Sequence, residues 1–422
     1  MWTFERAKEE MRNKILGQMD YSKEVTDEEI REMIGEAIEA ERQLRIWPVS
    51  DRRKLAEDVF CALRRWDILQ KLLEDDKVTE IMVNGPDHIF VEREGKISEF
   101  EQSFSSPEQL RDVIQRMAAG CNRSVNEASP IVDARLENGA RVNIVLQPVA
   151  INGPVVTIRR FPDKPIDMEQ LIGWGSISRE AAECLEALVA AGYNILISGG
   201  TGCGKTTFLN ALSHFIPPEQ RVITIEDSAE LQIQGIRNLI RLETRNANVE
   251  GCQPIGIRDL IRTALRMRPD RIIVGEVRGG EAADMMQCLN TGHDGSMSTG
   301  HANSARDMLS RLETMILMGM ELPMEAIRKQ IASGIDIIVH LGRVRDKSRR
   351  VLEICEVLGY EDGGIKLGTL FEFQEQEKGG PDQVKGDILK KGDLTYDKKM
   401  QAAGISLSRR EGCPLGSAVA SV

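Results

Sequence analysis

Ser198-Gly-Gly-Thr-Gly-Cys-Gly-Lys-Thr-Thr-Phe-Leu-Asn-Ala-Leu212 sets four glycines ahead of a lysine and two threonines. Gly199, Gly204, Lys205 and Thr206 fit G-x-x-x-x-G-K-[ST], a phosphate-binding loop when it joins a strand to a helix. The preceding NILIS, Asn194 to Ser198, is apolar and β-branched, and Pro217-Pro218 ends the helix that follows. Glycines let successive N–H groups turn toward an anion, and the helix N-terminus adds partial positive charge. Gly199, Gly200, Thr201, Gly202, Cys203, Gly204, Lys205, Thr206 and Thr207 are therefore the candidate nucleotide-binding residues, with Lys205 reaching the β- and γ-phosphates and the Thr206 hydroxyl on Mg²⁺. A nucleotide and Mg²⁺ are the expected ligands, the loop alone not choosing which nucleotide.

Outward from the loop, apolar runs alternate with helical stretches: NILIS, RVITIE, RIIVGE and IIVHL. This alternation predicts a mainly parallel sheet flanked by helices. Two of the runs end in acids. RIIVGE delivers Glu276, with Gly275 where many phosphate-loop ATPases place aspartate, and Glu276 is a candidate for the Mg²⁺ shell, directly or through water. RVITIE delivers Glu226, the first candidate to orient or deprotonate an attacking water, followed by Asp227. TGHDGSMSTGHANS carries His293 and His301 in a polar, glycine-rich stretch that lacks the ligand set of a metal site but suits a hydrogen bond to a γ-phosphate.

Upstream, Thr26 with Glu29 has the form of a capping box, and Ile30, Met33, Ile34, Ala37 and Ile38 recur at helical spacing, predicting a helix to about Leu44. Trp47-Pro48 breaks it, and Leu55, Ala56, Val59, Phe60 and Leu63 mark a second helix running to about Leu73. That stripe suits either a partner or the protein's own body. VTEIMVNG, HIFVEREG and KISEF, then ARLENGARVNIVL and VVTIRRF, read as short antiparallel strands around a helix at Gln109–Ala119. The expected division is 1–73 amphipathic helices, 74–161 a small α+β domain, 162–176 a Pro- and Gly-bearing linker, 177–360 the ATPase domain and 361–422 a tail.

Composition narrows the function. Hydrophobic residues at 41%, charged residues at 29% and aromatics at 4% describe a helix-rich globular chain. The net charge of −11 argues against wrapping nucleic acid, so no direct nucleic-acid partner is expected. The eight cysteines (61, 121, 184, 203, 252, 288, 355, 413) include no C-x-x-C pair, so neither a zinc ribbon nor a disulfide framework is indicated. No run reaches the ~18–20 apolar residues of a membrane span, and a cytoplasmic location is expected.

GGTGCGKTT, ITIEDSAEL, LRMRPDRIIVGEVRGGEA and TGHDGSMSTGHANS, in this order, resemble the Walker A, Asp-box, Walker B and His-box of the type II/IV secretion ATPase superfamily, roughly over residues 70–360. LLEDDKVTEIMVNGPD and ARLENGARVNIVLQPVAINGPVVTIRRF resemble the N-terminal domain of its CpaF branch, which powers assembly of Tad (Flp, type IVc) pili. The resemblance implies a RecA-like domain preceded by a small α+β domain and N-terminal helices. It also implies ring-shaped hexamers that act on an inner-membrane platform protein and associate with the membrane only through partners. It makes Glu226 the catalytic glutamate, Glu276 the Walker B acid and His301 the His-box histidine. Arg141 in GARVN and Arg159 in TIRRF match N-terminal-domain arginines that reach the nucleotide. A conjugation-type secretion ATPase shares all four motifs and is the nearest alternative. A RecA-like nucleic-acid translocase and a binding module without turnover are further ones.

Overall fold

The computed structural model describes residues 3–19, 23, 25–93, 95–160, 165–245, 253–376 and 384–405. The chain divides into two compact units, Met1–Asp163 and Lys164–Val422.

The first unit opens with helices α1 (Phe4–Gln18), α2 (Asp27–Ala40), α3 (Val49–Arg64) and α4 (Leu69–Glu74). Thr26 and Glu29 close the expected capping box on α2. The apolar stripe of α3 turns inward: Leu55, Val59 and Phe60 pack with Ile30, Ile34 and Ile38 of α2 and with Met11 and Ile15 of α1. The reading as the protein's own core therefore holds. The second helix breaks before Leu73, because Asp67 takes a left-handed backbone with φ 52° between α3 and α4.

Strands β1 (Val78–Asn84), β2 (His88–Arg93), β3 (Lys96–Glu99), β4 (Ile131–Arg135), β5 (Arg141–Val145) and β6 (Val155–Arg159), with α5 (Pro107–Gly120) between β3 and β4, complete the unit. The sheet order is β3-β2-β1-β6-β5-β4, with antiparallel neighbours throughout. Alternation buries Ile81, Val83, Ile89, Val91, Val142, Ile144, Val156 and Ile158 against Leu110, Val113, Ile114 and Met117 of α5.

The second unit runs α6 (Met168–Gly173), α7 (Arg179–Ala190), β7 (Ile195–Gly199), α8 (Lys205–Ser213), β8 (Arg221–Glu226), β9 (Asn238–Glu243), α9 (Ile257–Ala264), β10 (Arg271–Val277), α10 (Glu281–Leu289), β11 (Met297–His301), α11 (Ala305–Gly319), α12 (Met324–Gly334), β12 (Ile337–Arg343), β13 (Arg349–Glu361), β14 (Gly364–Glu375), β15 (Gly386–Lys390) and α13 (Lys398–Ala402). Its sheet order is β15-β14-β13-β12-β7-β11-β10-β8-β9. From β12 to β9 every pairing is parallel, and β13 to β15 extend the sheet antiparallel. Successive side chains feed opposite faces. Ile195, Ile197 and Ile273 join α7 and α8, whereas Leu196, Ile272 and Val274 join α9 to α12. Burial on both faces is why these strands read as continuous apolar runs. The fold is thus the expected RecA-like α/β domain preceded by a small α+β domain and helices.

Three stretches differ from the sequence reading. The expected linker 162–176 contains α6, whose Asp167–Gln170 capping box and buried Met168 and Leu171 fix it to the core of the second unit. Phe161 and residues 162–164 lie outside the described residues. The expected tail contributes β14, β15 and α13, held by Glu356, which accepts from Thr395 N at 2.8 Å and Tyr396 N at 2.7 Å. Its last stretch, residues 406–422, is likewise outside the described part, as are Glu94, Cys252 and Cys413. Third, the polar MSTGH segment is the interior strand β11, paired with β7 and β10.

Candidate nucleotide site

Ligands of open α/β sheets bind outside the carboxyl ends of the parallel strands. Four adjacent strands of the second unit end there in candidate residues: β7 in Gly199, β11 in His301, β10 near Glu276 and β8 in Glu226. Register places His301 beside Gly199 and Gly300 beside Val277.

The loop between β7 and α8 is shaped by close packing. A Cβ on Gly199 would stand 2.4 Å from the Leu341 carbonyl oxygen and 2.5 Å from Cys203 Sγ, so only glycine fits. Gly204 stands at the N-cap of α8, and Lys205, Thr206 and Thr207 form its first turn, where free N–H groups and the helix dipole favour an anion. Lys205 is 8% exposed; its Nζ donates to the carbonyls of Gly199 at 3.1 Å and Gly200 at 3.0 Å and lies 3.2 Å from His301 Nδ1. Burial pulls its pKa below the usual lysine range, opposed by the negative charge of Glu276.

His301 links the lysine to the acids. Its Nε2 approaches Glu276 Oε1 to 2.7 Å without the alignment of a hydrogen bond. Burial lowers its pKa against the pull of Glu276, leaving a neutral imidazole that accepts at Nδ1 from Lys205. On its other oxygen Glu276 accepts from Arg278 Nε at 2.8 Å and Nη2 at 2.5 Å. Arg278 Nη1 reaches to 3.8 Å from Asp227, which accepts from Thr244 Oγ1 at 2.9 Å.

Glu226 sits apart from this chain of contacts. It is 3% exposed, accepts on Oε2 from Glu230 N at 2.6 Å and Leu231 N at 2.8 Å, and leaves Oε1 buried without a hydrogen bond. Burial raises its pKa to about 7 against those two backbone donors. The glycine at 275 now has a reason. A Cβ there would lie 3.0 Å from Glu226 Cγ, so an aspartate would crowd the glutamate on the neighbouring strand.

Among the described residues no group of three or more His, Cys, Asp or Glu could hold a metal by itself. Mg²⁺ needs no such group, because it keeps several waters and is held by one or two protein oxygens plus phosphates. The Thr206 hydroxyl on the first turn of α8 and Glu276 Oε1, which makes no hydrogen bond although His301 stands beside it, are the oxygens such a site would use. Arg141 and Arg159 lie in the first unit, opposite each other on β5 and β6. Sequence reasoning missed Arg278, although its place two residues past Glu276 was a signal. It also missed Arg349, whose Nε donates to the Gly202 carbonyl at 2.9 Å from a strand 147 residues away. No local pattern announces that contact.

Over residues 64–383 the chain matches the family described as type II/IV secretion system protein. The chain belongs to this family. A putative conjugal transfer protein of Mycobacterium tuberculosis is 36% identical over 310 residues, 72% of this chain and 87% of that protein. The conjugal transfer protein TrbB of Rhizobium radiobacter is 32% identical over 312 residues, 73% of this chain and 93% of that one. The solved ATPase DotB of Yersinia pseudotuberculosis, 15% identical with a TM-score of 0.52 over 71% of this chain and 80% of its own, shares the fold.

Proposed function

We propose that this chain hydrolyses ATP to power assembly of a Tad/Flp-type pilus or a related type II/IV secretion machine. The observation that carries the reading is the convergence of Gly199–Thr206, Glu226, Glu276 and His301 at the carboxyl ends of adjacent strands of one sheet, with a buried oxygen on each glutamate that lacks a hydrogen bond. Lys205, exchanging the Gly199 and Gly200 carbonyls for phosphate oxygens, binds the β- and γ-phosphates. Glu226 Oε1 takes the proton of the attacking water. Glu276 and Thr206 hold Mg²⁺, which when bound neutralises charge on the phosphates. His301, relieved of Lys205, donates a hydrogen bond to the γ-phosphate and so registers its loss.

The family's architecture supports a homohexamer at the cytoplasmic face of the membrane, working on inner-membrane platform proteins. No helix among the described residues is long and apolar enough to cross a membrane. A second reading, a conjugation-type secretion ATPase, is favoured by the likeness to the two conjugal transfer proteins. Phosphate release from ATP with Mg²⁺ tests the enzyme reading: Lys205→Ala should abolish it, and Glu226→Gln or Glu276→Gln should bind ATP but lose most of its turnover. Glutamine variants as active as the parent would overturn the assignment of the acids.

A further inference from the structure

Beside the phosphate loop lies an open cavity of about 460 Å³ lined by Gly200, Thr201, His301, Asn303, Asp307 and Arg311, together with Ala302. His301, one of its lining residues, lies with Nδ1 3.2 Å from Lys205 Nζ. Asp307 and Arg311 stand one turn apart on α11, a spacing at which opposite charges usually pair. Here neither side chain has an ion-pair or hydrogen-bond partner among the described residues. The Arg311 charge is felt at His301, where it disfavours protonation after burial and the neighbouring Lys205 and Arg278 have acted.

A lone guanidinium beside a phosphate loop suits an oxyanion, because its planar fork binds phosphate bidentately. A carboxylate in the same cavity repels a fully ionised phosphate ester. It accepts a hydrogen bond, however, from an anion that keeps a hydroxyl. Inorganic phosphate is such an anion near neutral pH, and sulfate is not. We propose that this cavity is a binding site for inorganic phosphate leaving the nucleotide site, with Arg311 pairing its oxygens and Asp307 accepting from its P–OH; the inference rests on the ATP-hydrolysis reading. Asn303 supplies a further amide donor. The site separates the released product from Lys205 and holds it next to the histidine that contacts the loop.

Titration calorimetry of inorganic phosphate, and separately of sulfate, into the full chain with and without ADP tests it. The parent should bind phosphate at least about tenfold more tightly than sulfate. Arg311→Ala should weaken phosphate at least about tenfold, the range for one hydrogen bond to a charged group, while ADP affinity stays unchanged. Arg311→Lys should recover part of the binding, and Asp307→Asn should bring sulfate level with phosphate. Both residues are exposed on α11, whose buried Met308, Leu309 and Leu312 are untouched by these changes. Equal affinity for the two anions, or phosphate binding indifferent to Arg311→Ala, would overturn the site. Selective phosphate binding by a protein that does not turn over ATP would support the site and contradict the hydrolysis reading alone.

Discussion

Glu226 is where the charge environment makes its sharpest demand. With its pKa pushed to about 7, the free enzyme needs the carboxylate ionised to accept a proton from water, so kcat/KM for ATP should fall as pH drops below about 7. A pH–rate profile checks this, and Glu226→Gln should remove both the inflection and about 10²–10⁴-fold of turnover. Stability runs the other way. The folded chain holds the Glu226 proton to higher pH than the unfolded chain, whose value is 4.5, so stability present below 4.5 is lost as pH rises through about 7. Glu226→Gln should therefore melt at a higher temperature than the parent above pH 7; an unchanged or lower Tm would show that burial does not strain this acid. Gly275→Ala, crowding Glu226 Cγ, should keep ATP binding and lower turnover, as nucleotide-binding and phosphate-release measurements would show. At this scale much was legible. The loop and both acids announce themselves by residue type at a strand end, and His301 by its polar, glycine-rich stretch. Arg278 and the reason for Gly275 were not legible, because they depend on which strand lies beside which.

At the scale of elements, one tie in the first unit is buried and polar. Lys8 of α1 donates to Asp67 at 2.6 Å, with side chains 8% and 1% exposed, and Gln109 of α5 donates to the other oxygen of the same carboxylate. One acid thus pins the first helix to the α+β sheet's own helix. Asp67→Ala should cost about 3–5 kcal/mol by leaving a buried ammonium without its partner. Thermal or urea unfolding reads this, and a Tm within a degree of the parent would contradict it. Strand β11 shows why part of the fold escaped the sequence. Ser298 and Thr299 are almost fully buried, yet Thr299 Oγ1 donates to the Gly275 carbonyl at 2.8 Å, and a Cβ on Gly300 would stand 2.5 Å from Met308 Cε. Small polar residues with partners pack like apolar ones, and hydrophobic periodicity does not see them. The α6 segment and strands β14 and β15 escaped for a related reason. Their glycines and charges resemble a linker and a tail until the neighbouring strand supplies the pairing.

For the whole molecule, the two units divide the work of the proposed motor. The second carries every residue of the phosphate loop, both acids and the histidine; the first carries Arg141 and Arg159. Arg141→Ala and Arg159→Ala should lower ATP turnover without changing the unfolding of the second unit. Turnover indifferent to both changes would remove the first unit from the chemistry. The acidic balance of the chain, −11 overall, predicts turnover that single-stranded DNA does not stimulate. Strong stimulation would favour a nucleic-acid translocase over a secretion motor. The most direct measurement is steady-state phosphate release from ATP with Mg²⁺ by the purified full chain beside Lys205→Ala, over a range of protein concentration that allows rings to form. The account predicts turnover in the parent and none in the variant. Equal release from both, or none from an assembled parent, would contradict it.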